Sequence, residues 1–414
     1  MTAAPTPTTP PAPTGRLAVL RHRDFSLLAA GSAVSSLGNA ITPVALAFAV
    51  LDLGGSASQL GLVVAAYALA EVVTSLFGGV LGDRVPRQLM MQGSASGAAL
   101  TQALIAASLI GHWSSIWLLG SIGLVNGVLS ALSSPSSSAL TPQTVPAEEL
   151  AAAVTLRRLA QNGMQVVGFS VAGMLVAGVG SGWAIAVDAA TFAFAAVCFH
   201  LIRVPAVRGT GASAPMLAEL REGAAEVLRH TWLWLLIGQA LLYHLFYGGV
   251  QGVLGPIVVK HDLSEAAWGW AMGSLMAGFM LGGLISLRWR PRRGLFVGTA
   301  ALSLTACFPL AMAVSDQLVV VLLGALLHGL GLEIFSVNWD LSIVQNVAED
   351  KLARVYSFDV VGSFVARPIG LALTGPIATA TGDTTWLVVV AAVMGGSSLL
   401  ALLSHDVRSL ERSA

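Results

Sequence analysis

Twelve apolar runs follow one another along this chain, separated by short charged connections, and they restrict its fold more than any other feature. They lie near 25–50, 58–82, 88–111, 115–139, 152–179, 183–203, 231–259, 265–287, 294–313, 317–345, 352–380 and 385–404. About 30 Å of hydrocarbon is crossed by roughly 20 apolar residues in a helix, so each run can span a bilayer. Several exceed 25 residues, which implies tilt or extension beyond the membrane. Composition agrees. Of 414 residues 55% are hydrophobic and 10% charged, against about 25% charged in soluble domains, and the mean hydropathy is +0.79. The expected fold class is an all-α polytopic membrane protein with twelve transmembrane helices.

Lys and Arg fix the expected orientation. Nineteen of the 21 basic residues fall on one side of the alternating connections, Lys260 alone falls on the other, and Arg367 sits inside the eleventh run. This split places both termini in the cytoplasm of a bacterial inner (plasma) membrane. Residues 1–15 form a Pro/Thr-rich stretch without side-chain charge and without the pattern of a signal peptide, expected as a disordered cytoplasmic tail. Cys198 and Cys307 lie inside apolar runs and suggest neither a disulfide framework nor a metal site.

The longest connection divides the runs six and six. We read 16–203 as an N-terminal six-helix bundle, 204–230 as a cytoplasmic linker, 231–404 as a C-terminal six-helix bundle and 405–414 as a cytoplasmic tail. In the linker, Leu217, Leu220, Ala224 and Val227 recur at helical spacing with Glu219, Glu222, Glu226 and Arg229 elsewhere, predicting an amphipathic helix along the membrane surface. The halves are related. A shift of 202 residues lays Gln143, Val145, Leu150, Ala151, Gly168, Gly173 and Gly180 on Gln345, Val347, Leu352, Ala353, Gly370, Gly375 and Gly382. A shift of 205 lays Gly78, Pro86 and Arg87 on Gly283, Pro291 and Arg292. The expected architecture is two six-helix bundles in a parallel, pseudo-twofold arrangement, with a ligand held near the midplane between them.

The stretch Gly79-Val80-Leu81-Gly82-Asp83-Arg84-Val85-Pro86-Arg87 resembles the signature loop of the major facilitator superfamily, Pro86 standing where that signature has Gly. The resemblance, with twelve helices in two halves, covers the chain from about Arg16 to Asp406. It implies that Gly79, Asp83, Arg84 and Arg87 form a cytoplasmic latch between the halves. The turn after Gly283 has no acid equivalent to Asp83, which suggests a partner for Asp83 across the interface near Lys351 and Arg354. In the fifth run, Gly163-(x)4-Gly168-Phe169-Ser170-Val171-Ala172-Gly173 resembles a degraded antiporter motif, in which Phe169 replaces Pro and Ala172 replaces Gly. Val145-Pro146 with Glu148, and Trp183–Ala189 around Asp188, resemble the branch that contains macrolide-efflux and enterobactin-type exporters.

Ionisable groups at membrane depth cost roughly 2.5–3.5 kcal/mol each and usually face the protein interior. Glu71, Glu333, Asp359 and Arg367 are the expected proton-coupling residues. Glu333 and Arg367, at similar depth, are expected to pair. Asp340 is expected near the cytoplasmic side, and Asp188 in a structural role. Asn39, Tyr67, Asn162, Gln165, His244, Tyr247 and Gln251 are the expected cavity-lining residues. The function these features predict is proton-coupled efflux of a drug-like or secondary-metabolite small molecule by alternating access. Its rivals are a metabolite importer or facilitator of the same superfamily and a non-transporting receptor or scaffold. The expected partners are a small-molecule substrate, protons and the lipid bilayer, for a monomeric chain without cofactor, metal or nucleic acid. No Gly-x-x-x-x-Gly-Lys-Ser/Thr run is present to cradle ATP, and no soluble segment is long enough for an enzyme domain.

Overall fold

The computed structural model describes residues 18–82, 87–204, 216–348 and 351–411. The Pro/Thr-rich stretch 1–15, Asp83, Arg84 and linker positions 205–215 therefore lie outside the described residues. All regular structure among the described residues is helical. The first half contains α1 (Arg23–Asp52), α2 (Ala57–Gly82), α3 (Arg87–Ile110), α4 (Ile116–Leu140), α5 (Leu150–Val179) and α6 (Ser181–His200). The linker helix is α7 (Met216–Arg229). The second half contains α8 (Thr231–Gly249), α9 (Gly255–Asp262), α10 (Glu265–Arg288), α11 (Gly294–Leu302), α12 (Cys307–Val314), α13 (Leu318–Asn346), α14 (Leu352–Phe364), α15 (Arg367–Thr381) and α16 (Asp383–Ala401), followed by α17 (His405–Ser409).

Among the described residues, twelve helical spans are long and apolar enough to cross a membrane, in the places the apolar runs predict. Three second-half spans are interrupted, a feature the runs do not reveal. A π-type turn at Val250–Leu254 joins α8 to α9, and a 3-10 turn at Ser303–Ala306 joins α11 to α12. A step at Val365–Ala366 separates α14 from α15 just before Arg367-Pro368, where proline removes a backbone donor. Elsewhere the ends follow local rules. Ser115 and Ser264 cap α4 and α10 by accepting from the Leu118 and Ala267 amides.

The internal repeat has a structural counterpart. Gly180 and Gly382, matched by the 202-residue shift, end α5 and α15 with φ of 89° each, a conformation that glycine adopts without strain. Helix α5 packs on α1 within its half and on α10 across the boundary, while α15 packs on α8 within its half and on α2 across it. The matched glycines serve these same contacts. Gly168 lies against the Leu37 carbonyl of α1 and Gly370 against the Leu245 carbonyl of α8. Gly173 lies against α10 at Glu265 and Ala266, and Gly375 against α2 at Ala57 and Ser58. Within a bilayer, helix association relies on close van der Waals contact, for which small residues are needed. The degraded motif of α5 thus keeps the two glycines that make contacts, Gly168 and Gly173.

Lys260, the lone basic residue of its side, joins the halves at the end opposite the termini. Its ammonium reaches Asp52 of α1 at 3.0 Å and Glu265 of α10 at 2.7 Å.

Helix α7 does not simply lie along a membrane surface. Val227 is fully buried in a cluster with Trp232, Leu233, Val355 and Val407. Gly223 abuts the Arg354 carbonyl, where a Cβ would come within 2.5 Å. Glu226 accepts from Lys351 at 2.8 Å. At Gly223 and Val227 the face expected towards lipid is covered by the first turns of α14, so this end of the linker helix is docked on the second half.

Candidate functional site

A cavity of about 720 Å³ lies between the halves, within the size range of small-molecule sites. Its walls run along α1 from Ser32 to Leu46, α3 from Met91 to Ile105 and α5 from Val154 to Phe169. The second half contributes Gln251 and Gly252 from the π-type turn, Trp268 and Met272 from α10, and Arg367 and Leu371 from α15. Beyond the cavity, towards the end that carries Asp52 and Lys260, the α5–α10 and α2–α15 contacts bring the halves together.

Six of the predicted residues meet here: Asn39, Tyr67, Glu71, Gln165, Gln251 and Arg367. Glu71, midway along α2, accepts a hydrogen bond from Ser130 of α4 at 3.1 Å, beside Tyr67 one turn earlier. Arg367 opens α15 at the middle of its span, within electrostatic reach of Tyr67, Tyr243 and His244. Its stem passes Gly248, where a Cβ would be 3.2 Å from Arg367 Cγ.

The other predicted residues are placed elsewhere. Asn162 is exposed and outside the cavity wall. His244 packs on Phe364 with ring centroids 4.0 Å apart, and its Nδ1 lies 2.8 Å from the Ala240 carbonyl. Tyr247 is buried inside the second half against His328, at 4.2 Å between centroids. His328 in turn bonds the Tyr243 hydroxyl at 2.7 Å. Asp359 accepts from Trp339 Nε1 at 3.0 Å and from the Ser363 hydroxyl at 3.2 Å, away from the cavity wall. Glu333 does not pair with Arg367. It lies against Gly282 and Gly283, and the cation acting on both it and Asp340 is Arg158 of the first half. Of the latch residues, Gly79 falls in α2 and Arg87 begins α3.

Several wall residues were not singled out in the sequence. On α3, Met91, Ser94, Ala98, Gln102 and Ile105 share a face at steps of three and four; on α4, Asn126, Ser130 and Ser133 do the same. That spacing of small and polar residues was the available signal. Behind the wall, Asp188 of α6 is fully buried. It accepts from the Thr42 hydroxyl, from Gln102 Nε2 at 2.8 Å and from Thr191 Oγ1 at 3.3 Å. Thr42 and Gln102 also face the cavity, so this network supports its wall.

The chain is 23% identical over 403 residues to macrolide efflux protein A of Streptococcus pyogenes, covering 94% of this chain and 97% of that protein. An uncharacterized MFS-type transporter, y4rN of Sinorhizobium fredii (strain NBRC 101917 / NGR234), is 26% identical over 292 residues, covering 68% of this chain and 71% of its own. Among solved structures, a bacterial homolog of the human lysosomal transporter Spinster, in an inward-facing and unoccupied conformation, superposes with a TM-score of 0.72 at 14% identity, covering 97% and 99% of the two chains. The nucleoside transporter NupG does so with 0.71 at 12%, covering 92% and 97%. Both establish likeness of fold. The Major Facilitator Superfamily pattern matches residues 28–371, and with twelve spans in two related halves around a central cavity, this chain belongs to that family of membrane transporters.

Proposed function

We propose that this protein is a secondary active exporter of the bacterial inner membrane, driven by protons and acting on a drug-like or secondary-metabolite small molecule by alternating access. One observation carries the reading. The 720 Å³ cavity combines a midspan carboxyl, Glu71, with aromatic and amide groups from both halves, beneath an end where the halves meet. Rocking of the halves about such a site exposes it to each side in turn. The likeness to macrolide efflux protein A over nearly the whole chain supports export, and the basic connections support cytoplasmic termini. In this scheme Glu71 carries the proton. The charge of Arg158, which acts on Glu333 and Asp340 of the other half, favours approach of the halves on the cytoplasmic side. Each proton moved inward supplies about 2.3 kcal/mol per 100 mV.

Everted vesicles test the scheme. An imposed pH gradient is expected to drive uptake by the wild type and not by Glu71→Gln, while substrate counterflow persists in the variant. Undiminished pH-driven uptake by Glu71→Gln would remove Glu71 from the coupling. Glu333→Gln and Asp359→Asn, whose carboxyls lie outside the cavity wall, are expected to retain gradient-driven uptake.

A further inference from the structure

The ionisable side chains on the cavity wall are Arg157, Arg158 and Arg367 with Glu71 and Tyr67, and Arg157 is engaged by a partner of its own. Arg158 has acids across from it in Glu333 and Asp340. Arg367 differs. Among the described residues no carboxylate lies within 4.0 Å of its guanidinium, although it stands midway through its span. Glu71, the acid on the same wall, forms no ion pair with it and is held instead by Ser130. Asp188 is fully buried behind the wall, with three donors already directed at its oxygens.

A cation at this depth is costly to hold, and such groups mark ligand pathways. A guanidinium presents a planar fork of donors that fits a carboxylate or phosphate with two parallel hydrogen bonds. Phe169, Trp268, Met272 and Leu371 supply apolar wall in the same cavity. We infer that the cavity binds an organic anion, its acidic group at Arg367 and its apolar body against Phe169 and Trp268. The inference rests on the cavity being the transport site and names the class of its substrate.

Binding to the full-length protein in nonionic detergent tests this without any transport step. Three probes on one ring system suffice: 2-naphthoate, 2-naphthamide and 2-naphthylmethylammonium, with affinities from calorimetry. The carboxylate is expected to bind at least about 10-fold more tightly than the amide or the ammonium. Arg367→Gln should bring the three within about 2-fold, and Arg367→Lys should keep part of the preference. Equal affinities, preference for the ammonium, absence of binding by all three, or a preference that survives in Arg367→Gln would each overturn the inference. Should Arg367→Gln not fold, the wild-type ranking and Arg367→Lys decide. The two readings fail separately. Anion binding without pH-driven movement would sink the proton-coupled exporter alone, whereas pH-driven export of a cation without anion preference would sink the anion site alone.

Discussion

Gly173 and Gly269 stand face to face across the boundary between the halves: a Cβ on Gly269 would come 2.7 Å from the Gly173 amide nitrogen and 2.8 Å from its Cα. No side chain fits between α5 and α10 at this level unless the helices separate. Gly269→Val is therefore expected to penalise the state closed at that end by about 1–3 kcal/mol, a roughly 5- to 150-fold shift of the equilibrium. The measurement is labelling of a single cysteine placed at the mouth near Lys260, in a Cys198→Ser, Cys307→Ser background. Labelling that Gly269→Val leaves at the parent level would show that this contact does not set the closure.

Lys260 adds a weaker closure. It is bound to Asp52 and Glu265, but about a third of its side chain and nearly half of Asp52's remain exposed. Exposed pairs contribute about 0–1 kcal/mol and are screened by salt. Asp52→Asn should raise labelling at that mouth by at most about 5-fold, and 1 M salt should bring the wild type towards the variant. A loss as large as that of Gly269→Val would mean that the ion pair, not the glycine packing, carries the closure.

The contrast between these two contacts reflects what the sequence makes legible. Span number, the two related halves and the importance of Gly173 can be read from run lengths and a 202-residue self-comparison. The facing of individual polar residues cannot. In a water-soluble helix the polar stripe marks solvent, but here lipid and protein interior are equally apolar, so periodicity does not separate cavity from bundle core. Tyr67 and Tyr247 look alike in sequence, each one turn from an ionisable or amide partner. Tyr67 faces the cavity, and Tyr247 turns to His328. The Glu333–Arg367 pairing fails for a related reason, since depth in the membrane does not specify azimuth around the bundle.

The docked linker helix should respond to acid. The hydrogen bond from Lys351, followed by its charge and those of Arg229 and His230, holds the Glu226 carboxyl below the usual carboxylate range despite a smaller opposing effect of burial. A group whose folded pKa is depressed contributes stability that is present above its unfolded pKa and lost as pH falls through the folded one. Docking of α7 on α14 is thus expected at neutral pH and to weaken below the ordinary carboxylate range. Distances between spin labels on α7 and α14 report it. Glu226→Gln should be loosened already at neutral pH and show less acid response. Identical pH profiles for variant and wild type would leave Val227 and Gly223 as the whole of the anchorage.

The buried network around Asp188 permits a sharper test of what a membrane-embedded acid is for. Thr42 from α1, Gln102 from α3 and Thr191 from α6 all donate to it, so one carboxyl ties three helices. Gly38 leaves room for this arrangement, because a Cβ there would collide with Asp188 Oδ1 and Thr191 Oγ1. Removing the acceptor in Asp188→Ala takes away the partner of the Thr42 hydroxyl, at about 1–3 kcal/mol for a buried group left unpaired, and leaves the Gln102 amide with Thr42 Oγ1 alone. Asp188→Asn is gentler. Gln102 Oε1 has no partner in the native arrangement, so a turn of the Gln102 amide offers an acceptor to the new NH2. Thermal unfolding in detergent is expected to rank wild type first, Asp188→Asn slightly below it, and Asp188→Ala and Gly38→Val well below both. Because Thr42 and Gln102 also face the cavity, Asp188→Asn should weaken substrate affinity more than it slows turnover. An Asp188→Asn protein that folds and binds normally but no longer responds to a pH gradient would instead make Asp188 a second proton carrier beside Glu71.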